Sequence, residues 1–505
     1  MRKLLFLLFL FPFFIAIHAQ SALQIQGKAY DVFSSDPDNF PGVLTAPQFA
    51  PFPSQIISFE RHFGDRSFLY IYDLSAKSLT EVRTITPKAG VKLSLEDSLR
   101  YENIYSESLC WRPGLDTQGR QWFAFVSNGA FDNADIYLGF AGGTTYIRLT
   151  IDEAADQTPH WSPDGNAIAF VSRRTGVKDI FLIEEVNKII SDENRNPDNF
   201  KLRQLTHSPA EETDLNWNPN PKAFLIAFSQ KVTFPGREVP TFQIKVLDVL
   251  RSENNIYDVT DDPLANFTRP LWDPQTGGKL LFAGKGLLED ETANLYLSEL
   301  EWSEDGQLKN KDLEGYKTEV FHNAYLVGAP ALWLAGGEAI LCQKNLPEQN
   351  YPIYSVNVTR RLENKEHSVY YFEKLHSEYP YILEYAARKN NFMFINRESN
   401  AFKVYLAQIY GDDIIPYKLP EYTLNYPVSR GVAVTETPAE SEIVETISTE
   451  TPAAEQVSGK SNTIKYILAG GAVAAGVATY FLVANSNNEN VTAKGVIIGL
   501  PPSLP

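Results

Sequence analysis

The chain has 505 residues, 44% of them hydrophobic and 12% aromatic, which is enough apolar material for a large core and excludes a disordered protein. Its formal net charge of −17 at pH 7 speaks against a nucleic-acid partner and against adhesion of the body to an anionic lipid surface, since both depend on clustered Lys and Arg. With only Cys110 and Cys342, it is not a disulfide-rich scaffold either.

Residues 1–19 read as a secretory signal. Arg2 and Lys3 form a positive start, 4–17 are apolar, and Ala19 offers a cleavage position ahead of Gln20. No cysteine lies near that junction, so a lipoprotein anchor is chemically excluded; the competing reading is an uncleaved N-terminal membrane helix. Export permits disulfides, but Cys110 and Cys342 fall in different repeats and read as buried small hydrophobes.

The strongest internal signal is a repeat. Residues 156–182 read DQTPHWSPDGNAIAFVSRRTGVKDIFL. Ser162-Pro163-Asp164-Gly165 has the chemistry of a turn: Pro presets φ at the second position, Asp suits the third, and Gly closes it without a Cβ penalty. Residues 167–172 then predict a short strand, 173–176 a second turn, 179–182 the start of a third strand, and Arg203-Gln204-Leu205-Thr206 an outer fourth. The insertion 183–199 is expected to hold a helix. A four-stranded meander of this length is the size of one propeller blade.

Trp111-Arg112-Pro113, Trp217-Asn218-Pro219 and Trp272-Asp273-Pro274 lead matching strands at 123–127, 225–229 and 280–283. A weaker copy runs from Pro330 and Trp333 through Gly336-Gly337 to 352–355, and degenerate copies occupy 51–74 and 379–406. The tryptophans at 111, 161, 217, 272 and 333 recur at intervals of 50 to 61 residues, near one blade's length. An ordinary β-sandwich does not predict that regularity.

The copy around Trp161 resembles the TolB-type repeat, a WD-repeat-like unit of exported bacterial propellers, and the resemblance extends over about residues 47–420. It implies an all-β β-propeller of four-stranded blades within 20–430. Seven copies can be counted, whereas the TolB propeller is similar but six-bladed, so six to seven blades are expected, with seven favoured. The Asp-Gly of the turn is missing after Trp217 and Trp272. Closing the ring requires the ends to meet, and the alternating segment 22–26 is suited to supply the outer strand of the last blade.

Composition changes near Gly431. Residues 431–462, rich in Thr, Glu, Pro, Ala and Ser, read as a disordered acidic linker with a reach on the order of 100 Å. Residues 463–484 carry no charge after Lys465 and approach the roughly 20 residues that cross a bilayer, so a single transmembrane helix is expected there. Gly470, Gly471, Ala474, Ala475 and Gly476 have the small-residue spacing that lets such helices approach. Lys460 and Lys465 on one flank against Lys494 on the other leave its orientation open. Residues 485–505 are a short polar tail.

Gly-x-Ser-x-Gly, His-Glu-x-x-His, the phosphate-binding Gly-rich loop and the EF-hand loop are all missing from the sequence. No catalytic residue, metal or cofactor is therefore expected. The ligand-binding expectation rests on position: residues just ahead of the inner-strand tryptophans, Thr158, His160, Asn216 and Arg269, are placed to line the channel mouth. For His160 the competing reading is a satisfied structural histidine. The expected function is a non-enzymatic, membrane-tethered propeller of the cell envelope, periplasmic or at the cell surface, that binds a protein or peptide. The alternative is a saccharide-binding or polyuronate-processing propeller, a lyase or glycosidase, whose site gathers residues from distant blades.

Overall fold

The computed structural model describes residues 24–34, 41–52, 55–84, 103–129, 133–192, 200–252, 255–287, 292–304, 306–311, 318–326, 331–334, 336–349, 351, 353–358, 369–371, 382–388, 391–398, 401–410, 422–424, 467–470 and 480–483. The expected signal at 1–19, the linker at 431–462 and the tail at 485–505 lie outside them. The chain divides into two units, Met1–Val434 and Thr435–Pro505.

In the first unit, antiparallel meanders follow one another along the chain, each with its spatial order equal to its sequence order. Blade 1 comprises Val43–Phe49, Ile56–Phe63, Arg66–Asp73 and Ser78–Val82. Blade 2 comprises Ser106–Leu115, Gln121–Ser127, Asp135–Phe140 and Ile147–Arg148. Blade 3 comprises Asp156–Trp161, Ile168–Ser172, Asp179–Glu184 and Lys201–Gln204, with the helix Val186–Ser191 in the expected insertion. Blade 4 comprises Glu212–Trp217, Leu225–Val232, Thr241–Asp248 and Ile256–Asp258. Blade 5 comprises Ala265–Trp272, Lys279–Gly286, Asn294–Trp302 and a split outer edge, Leu308–Asn310 and Thr318–Phe321, which accounts for the longest interval between tryptophans. Blade 6 comprises Ala331–Trp333, Ala339–Gln343, Ile353–Asn357 and Val369–Tyr371.

Blade 7 is built from both ends of the unit. Ile382–Arg388, Asn391–Glu398 and Ala401–Tyr410 supply three strands, and Gln24–Ser34 supplies the outer fourth. That strand runs antiparallel to its neighbour from Gln24↔Tyr410 to Ser34↔Lys403, longer than the segment expected from the sequence. The architecture is a seven-bladed β-propeller whose ring is closed by hydrogen bonds between distant parts of the chain.

The core sits between blades. One cluster joins Ala169, Ile180 and Leu182 of blade 3 to Leu215, Trp217, Ile226 and Phe228 of blade 4. The repeated tryptophan is the hinge of this packing. Trp161 Nε1–H donates to the Cys110 carbonyl, Trp217 to His160 and Trp333 to Leu271, each at 3.1 Å. In every case the acceptor directly precedes the tryptophan of the previous blade. Blade 1 has Phe49 where blades 2 to 6 have tryptophan, and Trp111 of blade 2 donates to Ser58 Oγ instead, at 3.1 Å. Trp272 is the exception, with a buried indole N–H that has no hydrogen-bond partner. At that seam Asn216 Oδ1 accepts the Trp272 main-chain N–H at 3.0 Å.

A second latch lies at the first turn of the blade. The residue after the tryptophan reaches into the next blade's turn: Arg112 Nε donates to the Gly165 carbonyl at 2.9 Å, and Asn218 Nδ2 to the Gly277 carbonyl at 2.7 Å. A Cβ on Gly277 would stand 2.6 Å from Asn218 Oδ1, and its φ of +62° favours glycine in any case. In blade 5 the turn aspartate has moved: Asp273, right after Trp272, accepts the N–H groups of Gln275, Thr276 and Lys279. The Asp and Gly that the motif lacked at that copy are thus present at a different spacing.

Both cysteines are free, Cys342 buried in blade 6 and Cys110 half-buried on the inner strand of blade 2. In the second unit Ile467–Gly470 and Tyr480–Val483 pair antiparallel, from Ile467↔Val483 to Gly470↔Tyr480. The two ends of the expected transmembrane helix are therefore strands, and 471–479 lie outside the described residues. Tyr480, Phe481 and Val483 favour extended backbone, and Gly470 weakens a helix. Among the described residues no helix is long and apolar enough to cross a membrane.

Replacing Trp217 by Phe keeps most of the packing but leaves the His160 carbonyl without its donor, so a loss of about 1–2 kcal/mol is expected. Gly277→Ala adds a clash to an unfavourable φ and is expected to cost at least as much. Thermal unfolding followed by circular dichroism should place both variants below the parent; parent-like melting of both would refute the latches.

Candidate functional site

The face at which each inner strand begins is called here the mouth face, and the opposite one, bearing the first turn of each blade, the turn face. Five inner strands carry the same irregularity near the mouth. Register shifts fall at Thr45/Gln48, Glu107/Cys110, Gln157/His160, Thr213/Asn216 and Thr268/Leu271. Within each bulge one non-glycine residue adopts positive φ: Ala46 at 49°, Ser108 at 55°, Thr158 at 49°, Asp214 at 57° and Arg269 at 57°. Such a conformation is uncommon, and for a β-branched threonine it is an outlier that the surroundings must enforce.

The reward is the residue that follows. Pro47, Leu109, Pro159, Leu215 and Pro270 are all buried, while the positive-φ residues keep solvent access on the channel side. One residue further, Gln48, Cys110, His160, Asn216 and Leu271 form a second tier, each half-buried. The bulge thus gives the channel a mouth ring of Ala46, Ser108, Thr158, Asp214 and Arg269 above a waist ring without formal charge. Burial pushes the His160 imidazole down to about 4, against the pull of the Asp214 carboxylate, so His160 is neutral at physiological pH.

All four residues singled out in the sequence lie on these rings, in blades 3, 4 and 5. Thr158 is exposed at the mouth. His160 lends its carbonyl to Trp217, and Asn216 lends its side-chain oxygen to the Trp272 N–H. Arg269 donates its main-chain N–H to Asp214 Oδ2 at 3.2 Å, and its guanidinium holds the Leu326 carbonyl. Three of the four therefore also bind one blade to the next. Asp214, which sequence reasoning missed, is the acidic member of the ring; Ser229 Oγ donates to the same oxygen at 2.9 Å. No local signal marked it, because its partner Arg269 is 55 residues away.

Close to the mouth, two blade junctions bury carboxylate pairs. Between blades 2 and 3, Asp135 is met by Arg148, and Asp156 by Arg174 at 2.8 Å through both oxygens. Between blades 3 and 4, Asp179 and Glu212 share Thr206 and have neutral partners: Gln204 Nε2 at 3.1 Å on Asp179, and Ser208 Oγ at 2.7 Å and Gln230 Nε2 at 2.9 Å on Glu212. Burial, with the Asp179 charge adding to it, pushes Glu212 up to about 7. Among the described residues no group of three His, Cys, Asp or Glu is placed to hold a metal ion.

No protein-family model matches the sequence, and no curated protein matches it significantly. Among solved structures, the chain is similar to TolB from Acinetobacter baumannii, with 13% identity and a TM-score of 0.34 over 74% of this chain and 82% of that one. It is similar to an oligogalacturonate lyase from Vibrio parahaemolyticus, with 9% identity and a TM-score of 0.45 over 77% and 98%. It is also similar to a puromycin-hydrolyzing peptidase from Mycobacterium tuberculosis, with 13% identity and a TM-score of 0.46 over 75% and 54%. At such values the blade count rests on this chain's own strand pairing. That pairing defines a β-propeller of seven blades, whose repeat resembles the TolB type.

Glu212 holds its proton in the fold to higher pH than in the unfolded chain. Its contribution to stability is therefore complete below about pH 4.5 and is lost as pH rises through about 7. Glu212→Gln keeps the shape and removes the charge, and its amide can donate to Thr206 while Thr206 donates to Asp179. The variant should match the parent at pH 4.5 and exceed it by about 1–3 kcal/mol at pH 8 in paired denaturation curves. An equal offset at both pH values would contradict a buried, uncompensated carboxylate.

Proposed function

We propose that this protein is a binding propeller of the cell envelope that presents its mouth face to a protein or peptide partner. The observation that carries the reading is the difference between the two faces. On the turn face the chain returns after blade 7: Thr423 N–H donates to the Thr276 carbonyl at 2.8 Å, Asn220 Nδ2 donates to the Leu424 carbonyl at 2.7 Å, and Leu424 is buried in the core of blades 4 and 5. Thr423 and Leu424 are thus fastened to the turn face, and the mouth is the face assigned to a partner.

Of the ten large apolar side chains exposed among the described residues, six belong to the mouth face by their place in the meander: Val43, Phe63, Ile151, Val239, Leu264 and Leu287. Leu264 and Leu287 are joined by a main-chain hydrogen bond of 3.0 Å, so apolar surface is gathered there rather than scattered. Rigid main-chain bulges hold Thr158, Asp214 and Arg269 beside it, which gives a partner both apolar area and fixed polar contacts. Export through 1–19 and membrane attachment through 463–484 complete the reading; the support for them is the charge and hydropathy pattern of those segments.

The alternative, a saccharide-binding or polyuronate-processing propeller, has one observation in its favour. Tyr325 and Tyr351 stack with ring centroids 4.0 Å apart, next to the Leu326 carbonyl that Arg269 holds. Half-buried aromatic rings of this kind suit a sugar.

Photo-crosslinking residues placed at Thr158 or Leu264 of the full chain in cells should give discrete protein adducts, and one placed at Leu115 on the turn face should not. Adducts from Leu115 alone, or depolymerisation of a polyuronate by the purified chain, would overturn the reading.

A further inference from the structure

In the cleft between blades 1 and 2, on the mouth face, several polar side chains outside the rings described above come together. The two-residue hairpin Gly64-Asp65 sets His62 opposite Ser67, and Ser67 Oγ lies 2.9 Å from His62 Nδ1. On the other side of the imidazole, Nε2 is 2.7 Å from Thr45 Oγ1 and 3.4 Å from Glu60 Oε2. Glu60 is itself held in place, because its Oε1 accepts the Ser108 main-chain N–H of blade 2 at 2.7 Å. Glu107, also from blade 2, hydrogen-bonds Ser67 and lies above the usual carboxylate range, mainly through burial. The neighbouring cation Arg61 is turned to the opposite side of the strand, over the Phe68 and Tyr70 rings. The cluster meets solvent through His62, 38% of whose side chain is exposed, while Ser67 beneath it is buried.

A carboxylate, an imidazole and a hydroxyl in that order form the arrangement that makes a serine nucleophilic. With Nε2–H held on the Thr45 and Glu60 side, Nδ1 presents its lone pair, and the single Ser67 O–H turns from the Glu107 carboxyl to Nδ1 before it is transferred. We infer that Ser67 is a reactive nucleophile toward esters, with His62 as its base and Glu60 as a positioning residue. The inference goes beyond the binding reading and does not rest on it.

In the step, Ser67 Oγ bonds to the ester carbonyl carbon as its proton passes to His62 Nδ1. The carbon–alkoxide bond then breaks, and the imidazolium returns that proton to the departing alcohol. Water, deprotonated by His62 in turn, attacks the acyl-serine, releases the carboxylic acid and restores the hydroxyl. The acidic neighbours Glu60 and Glu107 repel an anionic acyl group, so the substrate class is a neutral or cationic ester.

The test is labelling of the full-length chain with a fluorophosphonate, in which an Oγ–P bond forms, the P–F bond breaks and fluoride leaves. Mass mapping of the parent chain should find the adduct on Ser67, an assignment that does not depend on any variant folding. His62→Gln, checked for a parent-like melting curve, should slow labelling at least tenfold. Glu60→Gln should leave Ser67 labelled but more slowly, with the pH midpoint of labelling moved down, because the imidazole loses its neighbouring negative charge. An unmodified Ser67, or equal rates in parent and His62→Gln, would overturn the inference. Crosslinking at Thr158 and Leu264 is independent of Ser67, so either reading can fail alone.

Discussion

A tryptophan ring wedged between two sheets must hide a polar N–H in an apolar seam, and the propeller is organised around the answer to that problem. The indole reaches back to the carbonyl just ahead of the previous blade's tryptophan. Each such bond fixes the rotation of one blade on the next at the point closest to the axis. A buried donor without a partner is costly, so the bond selects one angular setting over neighbouring ones. The turn latch made by Arg112 and Asn218 repeats the selection on the turn face. Trp272 shows what happens when the pattern slips: its indole is left unpaired and Asn216 closes the seam by another route.

Because the inner strand must serve both the seam and the channel, it bulges. Burying a proline or leucine toward the neighbouring blade forces the preceding residue into positive φ, and that residue is delivered to the mouth. The strain is distributed over at least five blades and is met by the packing it permits. Mouth chemistry is in this way a by-product of seam chemistry: Asp214 and Arg269 face the channel while joining blades 4 and 5 through a main-chain hydrogen bond. The waist below them has no formal charge, since His160 is held neutral by burial.

Apart from Asp214 and its partner Arg269 at the mouth, the carboxylate pairs described above lie where blades meet. Asp135 and Asp156 have arginine partners, whereas Asp179 and Glu212, at the next junction, are held by neutral donors alone. Burial raises a carboxyl at both junctions, Asp135 to about 6 despite Arg148 and Glu212 to about 7 where the partners are neutral. The Glu60, His62 and Ser67 group lies at yet another such junction and owes its order to a hairpin on one blade and an inner strand on the next.

The sequence by itself determined what is local and repeated. Trp161 with its Ser-Pro-Asp-Gly turn, the short apolar strands after it and the outer Arg203–Thr206 strand were legible because turn chemistry and alternation act within a few residues. Seven blades are favoured over six because five tryptophan-led copies keep a common spacing and degenerate copies at 51–74 and 379–406 flank them. The blade 1 inner strand Val43–Phe49 was not legible, because Phe49 stands in the tryptophan's place. His62 and Ser67 could have been paired from the Gly64-Asp65 hairpin between them, but nothing in the sequence brings Glu107 to the same cleft. Tertiary structure alone decided those meetings, together with the full length of the closing strand and the return of Leu424 beneath blades 4 and 5. In each case the partners lie tens to hundreds of residues apart, where neither periodicity nor spacing acts, and only closure of the ring brings them within hydrogen-bond reach.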